Sequence, residues 1–209
     1  SVPTAFTITS ANSCISAKSG TVLTVTGDAD LTATPSTFSI KDSASTAVTT
    51  FTIGAYTAGD TTCKLTSSAN LAIGKFTGVS LTINGTVINF GATNTFNTYA
   101  PLGSQTATQT IKTSESFKVV FDSVAPTLST TSTAKIKLYP ATGSAIDATA
   151  KCTVATLTAT CDISTLNVTA GNYTVKYTPD CGTEAAAGVT LTVTSLASSL
   201  SYGLLFSLL

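Results

Sequence analysis

The stretch from Val79 to Phe90, VSLTINGTVINF, constrains the fold most: two alternating apolar runs flank Asn84-Gly85. Asn-Gly supplies the positive φ angles of a two-residue type I′ turn, so the segment is expected to be a β-hairpin. In that register Ile83 faces Thr86, Leu81 faces Ile88 and Val79 faces Phe90. One face is nearly all apolar, and the other carries Ser80, Thr82, Val87 and Asn89. A hairpin with one apolar face must pack that face on a second layer.

The same period of two recurs at Phe6/Ile8, Leu23/Val25, Phe38/Ile40, Phe51/Ile53, Ile136/Leu138, Tyr173/Val175/Tyr177 and Val189/Leu191/Val193, with Thr, Ser or Lys mostly between. This is the pattern of short, half-buried strands. No window of a dozen residues carries a helical i, i+3, i+4, i+7 stripe, and the EAAA run at Glu184 is too short to hold a helix alone. The 45 threonines and 25 serines favour strands and turns. At 43% hydrophobic residues the chain has enough apolar surface to offset the entropy of ordering. The fold class expected is all-β.

An internal repeat sets the domain count. Phe38 and Ile40 precede Cys63 by 25 and 23 residues, and Ile136 and Leu138 precede Cys161 by the same intervals. Gly74 and Phe76 follow Cys63 by 11 and 13 residues; Gly171 and Tyr173 follow Cys161 by 10 and 12, which is one deletion. Two copies of one sandwich are implied, separated by the polar, turn-rich stretch 91–113. The expected layout is therefore two tandem immunoglobulin-like β-sandwiches, 1–105 and 106–195, followed by an apolar C-terminal strand, 196–209.

Five cysteines suggest two disulfides and one leftover thiol, with several pairings open. Cys14 and Cys63 are the only cysteines of the first half and are expected to pair. In the second half Cys152, Cys161 and Cys181 compete. The run CTVATLTATC puts Cys152 and Cys161 on adjacent antiparallel strands, which favours that bridge and leaves Cys181 over. A bridge linking Cys14 or Cys63 to the second half would overturn the two-domain assignment.

The series Cys152, Cys161, Gly171, Tyr173, Val175 resembles Ig-like domains of the IPT/TIG type, in which a Cys, an alternating Thr/Val run, a second Cys and a Gly-x-Tyr-x-Val strand recur. The likeness covers about half of each repeat, and the first copy departs from it by having Gly54 where the first Cys would stand. The two-sandwich layout with an apolar terminal strand also resembles the Ig-like subunits of extracellular helical fibrils found on and around freshwater microbes. That resemblance implies a structural role in a homopolymer.

Ten lysines balance eight Asp and two Glu, and there is no Arg and no His. Without Arg the usual bidentate contacts to phosphate and guanine are missing, so nucleic acid is not an expected partner. Without His no Ser/His/Asp or Cys/His nucleophile system can be built. A carboxylate pair for glycoside hydrolysis would have to use Glu115 or Glu184, which lie in polar segments. Asp28 and Asp30 offer oxygens for calcium but read more simply as turn residues. No catalytic site, metal or cofactor is expected. Charged residues are only 10% of the chain, so solubility is left to hydroxyls, glycans or burial in an assembly.

The chain starts at Ser1, holds no Met and shows no leader, and so reads as a mature, exported product at the cell surface or outside it. Sequons at Asn84, Asn167 and Asn172 fit that compartment; all three side chains are expected to face solvent and at least one to carry N-linked glycan, with O-linked glycans as further partners.

In the last segment Leu200, Tyr202, Leu204, Phe206 and Leu208 alternate with Ser201, Gly203, Leu205, Ser207 and Leu209, so both faces become apolar toward the end. A membrane-spanning helix needs ~20 apolar residues, more than this run has. Self-docking meets a second sandwich that already has a last strand at Val189–Val193. The expectation is a strand donated to a neighbouring copy, giving a head-to-tail polymer. The alternative is a monomeric glycosylated adhesin or binding module with a lipid-anchor-type tail, its only connection to a membrane.

Overall fold

The computed structural model describes residues 3–9, 13–29, 37–42, 44–48, 51–54 and 59–195. Its described regular structure is all strand apart from one 3-10 turn at Thr149–Lys151. In the first half, β1 (Phe6–Ile8), β3 (Val22–Gly27), β7 (Thr62–Ser67) and β6 (Phe51–Ile53) form one sheet in that order. The second sheet is ordered β2 (Cys14–Ser16), β10 (Phe96–Tyr99), β8 (Gly74–Ile83), β4 (Thr37–Lys41) and β5 (Ala47–Val48), with β9 (Thr86–Asn89) also on β8.

The second half repeats this plan. One sheet runs β11 (Thr108–Lys112), β18 (Ala185–Thr194), β17 (Gly171–Thr178), β13 (Lys135–Pro140), β14 (Ile146–Asp147), and the other runs β12 (Ser116–Val120), β16 (Thr158–Asp162), β15 (Cys152–Ala155). Leu102 bridges to Phe121 beside β12, the place that β1 takes beside β3. In each half the early edge strand runs parallel to the last one, β2 with β10 and β11 with β18, while the other pairings are antiparallel. Two sheets connected in this way are an immunoglobulin-like β-sandwich. A tyrosine corner supports the assignment: Tyr173, near the start of β17, donates its hydroxyl to the Thr169 carbonyl at 2.9 Å.

The sequence repeat falls on equivalent strands: Ile40 and Leu138 on β4 and β13, Cys63 and Cys161 on β7 and β16, Phe76 and Tyr173 on β8 and β17, all buried. The repeated glycines open β8 and β17 at φ 145° for Gly74 and 156° for Gly171, backbone that side chains disfavour. The hairpin has the expected register, with Leu81 opposite Ile88 and Ile83 opposite Thr86, across Asn84 at φ 50° and Gly85 at φ 79°.

Alternation on facing sheets produces two buried clusters. One contains Phe6, Leu23, Val25, Ile40, Leu65, Phe76, Leu81 and Phe96; the other contains Phe117, Val119, Phe121, Ile136, Leu138, Val175, Leu191 and Val193. Membership passes from one to the other between Phe96 and Ala100, because Ala100 and Leu102 already pack with the second.

The cysteine expectations divide. Cys152 and Cys161 are directly opposite each other on β15 and β16 and are bonded. Cys14 does not pair with Cys63; it is bonded to Cys181, 167 residues away, at a Cα–Cα distance of 5.7 Å. Cys63 is a free, buried thiol. It occupies on β7 the place of Cys161 on β16, inside its own core, and the adjoining Gly54 carries no sulfur: its N–H simply donates to the Lys64 carbonyl. Cys14, on an edge strand, faces the turn between β17 and β18 instead. The bridge thus crosses between the halves, the outcome expected to overturn a layout of two separate domains; the halves keep a buried cluster each, with Ile73 and Val124 packed against both.

Candidate functional site

The seam between the two halves is where separate parts of the chain converge. The β17–β18 turn brings Cys181 to Cys14, and Gly182 sits so close that a Cβ there would lie 3.5 Å from the Cys14 sulfur. Nearby, Lys18 Nζ pairs with Asp122 Oδ2 at 2.5 Å, and Asn70 Nδ2 donates to the Ser123 carbonyl at 3.3 Å. Ile73 and Val124 pack against both clusters. The ion pair is solvent-exposed, so its contribution is small, ~0–1 kcal/mol. The covalent bridge is the strongest tie across the seam.

A cleft of about 450 Å³ opens beside that bridge, lined chiefly by Tyr99, Pro101, Leu102, Tyr177, Pro179 and the disulfide. Tyr177 forms part of its wall, yet its hydroxyl is buried and finds no hydrogen-bond partner among the described residues. Burial, with the Asp180 carboxylate adding to it, pushes that phenol far up from its ordinary pKa.

The charged residues weighed as chemistry are engaged in structure. Glu184 accepts from the Tyr139 hydroxyl at 2.7 Å and from Thr178 at 3.3 Å, with Lys137 at 3.4 Å and Lys176 at 3.7 Å. The Tyr139 hydrogen bond and the two lysines hold its carboxyl below the usual range. Glu115 accepts from the Lys112 N–H three residues earlier, in the β11–β12 turn. Asp28 ties the N-terminal segment down, accepting from the Thr4 hydroxyl at 2.5 Å and from the N–H groups of Thr4 and Ala5; those bonds lower its pKa. Asp30 lies outside the described residues.

Asn84, Asn167 and Asn172 are all exposed. Asn84 is at the tip of the β8–β9 hairpin, while Asn167 and Asn172 flank the tyrosine corner, where Asn172 Oδ1 accepts from Thr192 at 3.0 Å. The assembly residues Leu200, Tyr202, Leu204, Phe206 and Leu208 lie outside the described residues. Among the described residues no helix is long and apolar enough to cross a membrane. Two disulfides fit a chain that folds in an oxidising compartment, at the cell surface or outside the cell.

One device had no signal in the hydrophobic pattern. The two glutamines of the chain line the outer edge of β12. Gln109 Oε1 accepts from the Lys118 N–H at 2.9 Å and Gln109 Nε2 donates to the Lys118 carbonyl at 2.7 Å, and Gln105 does the same with Val120 at 2.9 and 2.5 Å. Each carboxamide completes a ladder as a strand would. The spacing Gln105-x-x-x-Gln109 before an alternating strand was the visible trace of it.

Neither a family model nor a curated protein matches the chain. Among solved structures it is paired with the Bacteroides ovatus mixed-linkage glucan utilization locus protein SGBP-B in complex with a mixed-linkage heptasaccharide, at TM-score 0.29 and 13% identity, over 88% of this chain and 44% of that one. The chain thus spans less than half the length of that protein. It is also paired with the tandem Ig repeats of Dlar, at TM-score 0.27 and 10% identity over 94% and 100% of the two chains. A third pairing is with the FN1-FN3 domains of chicken CNTN1, at TM-score 0.32 and 8% identity over 92% and 66%.

Proposed function

We propose that the protein is a structural subunit of an extracellular fibril, built from two sandwich modules, 1–105 and 106–195, and polymerising head to tail through strand 196–209. The observation that carries this reading is the position of β18. It is hydrogen-bonded on both sides, to β11 and to β17, so the second sandwich has its last strand before the apolar segment begins. Five large apolar side chains at alternate positions follow that strand in the sequence. Burying each in a neighbour contributes ~1.5–3 kcal/mol before ordering and association costs, enough for a durable joint. One donor and one acceptor per chain make a heterologous contact, which extends into a filament unless it closes on itself.

Truncation after Ser195 tests the reading. Both sandwiches should fold, with a wild-type far-UV spectrum, and filaments seen by negative stain should disappear. Truncated protein that still forms filaments of unchanged helical geometry would sink strand donation. Exposed Asn84, Asn167 and Asn172 support a glycan coat on such a fibre, and deglycosylation should lower the measured mass.

A second reading, a monomeric glycosylated adhesin or binding module, is favoured by the cleft at the seam. Size-exclusion chromatography separates the two, since a stable monomer at all concentrations supports only the latter.

A further inference from the structure

We propose that the outer edge of β9 is the acceptor for residues 196–209 of a second copy of the chain, an assignment that rests on the strand-donation reading above.

The β17–β18 turn, with Cys181, sits at the seam, and β18 runs ten residues away from it, so the terminal segment leaves from the far pole of the second half. At the other side of the seam β8 starts at Gly74, next to Ile73, and runs ten residues in its own direction to the Asn84-Gly85 turn. The hairpin tip and β9 therefore mark the far pole of the first half. Donor exit and β9 lie at opposite ends of the molecule, as a head-to-tail joint requires.

β10 has β2 on its outer side, but among the described strands β9 pairs only with β8. Across a two-residue turn the bonded positions are Thr86, Ile88 and Phe90, the last donating to the Val79 carbonyl at 2.9 Å. The N–H and C=O groups of Val87 and Asn89 thus point to the open side. Val87 is 59% exposed, and the other exposed large apolar residue among the described residues, Val22, is on β3, whose two sides are taken by β1 and β7. Elsewhere the edge of β12 is closed by Gln105 and Gln109.

Beyond an edge with Ile88 buried on one face and Val87 exposed on the other, an added strand meets apolar side chains on both faces. The end of the chain is apolar on both faces: Leu204, Phe206 and Leu208 on one, Leu205 and Leu209 on the other. Fourteen extended residues span ~46 Å, ample to leave one subunit and pair along four residues of the next.

The test uses the full chain in three arms. Val87→Lys should slow seeded filament growth at least tenfold with an unchanged melting temperature, whereas Val22→Lys should grow as wild type. A photocrosslinking benzophenone side chain in place of Phe206 should join, in assembled fibres, to peptides spanning residues 84–91 of another copy. Crosslinks to any other region, or Val87→Lys growth equal to wild type, overturn the β9 assignment; if truncation after Ser195 still abolishes filaments, donation stands and only the acceptor is wrong. Filaments that survive the truncation overturn both.

Discussion

Two tyrosines on β17 share a strand face and differ in what their hydroxyls meet. Tyr173 bonds the Thr169 backbone, donating to its carbonyl at 2.9 Å, while the Tyr177 hydroxyl is buried without a partner among the described residues. An unmade hydrogen bond leaves the desolvation of the hydroxyl uncompensated. Tyr173→Phe should therefore destabilise by about 1–2 kcal/mol, whereas Tyr177→Phe should be neutral or stabilising by up to ~1 kcal/mol, in chemical denaturation. Equal losses at both sites would refute the distinction. Cys63 adds a pH dependence. Burial pushes its thiol up from 9.0 to about 11, so the unfolded chain loses that proton first as pH rises. Stability from this group is present below pH 9 and falls between pH 9 and 11, a decline that Cys63→Ala should remove from the pH–stability curve. In the native protein at pH 8 iodoacetamide should leave Cys63 unmodified.

At the scale of strands, open edges are managed differently in the two halves. β3 has β1 beside it, but β12 is completed largely by side chains, with Gln105 and Gln109 each making paired bonds to its backbone. An uncovered edge invites pairing with another chain. Gln109→Ala should cost about 1–3 kcal/mol and speed amide exchange at Lys118, the N–H it now accepts from. Unchanged exchange at Lys118 would show that water replaces the carboxamide without loss. The β8–β9 hairpin is the contrasting case, because among the described strands β9 pairs only with β8 and carries the exposed Val87.

Over the whole molecule, two halves with the same strand order are held at one seam by a disulfide, an exposed ion pair and a small apolar junction. Cys14 and Cys181 are half-buried and border an open cleft, whereas Cys152 is 9% exposed and Cys161 is fully enclosed. Reduction requires a thiolate to reach a sulfur, so a graded dithiol should open Cys14–Cys181 first, with alkylation read by mass spectrometry. Simultaneous reduction of both bridges would contradict this order. Removing a bridge that closes so long a loop typically costs ~2–5 kcal/mol. The double variant Cys14→Ser, Cys181→Ser should melt lower and show a broader distribution of end-to-end distances in X-ray scattering, because few contacts remain to fix the angle between the halves.

The all-β class and the hairpin at Asn84-Gly85 were legible in the sequence because each depends on short-range chemistry. Turn residues set local φ, and a period of two sets which face is buried. The partner of Cys14 was not legible. Cys63 looked like its mate by proximity along the chain, but Cys63 is directed into the core of β7, and Cys14 meets a turn 167 residues on only when the halves dock. The carboxamides along β12, the hydroxyl stranded at Tyr177 and the cleft at the seam have the same origin. They arise where distant segments meet, and side-chain pattern within one strand carries no information about which loop will stand against it.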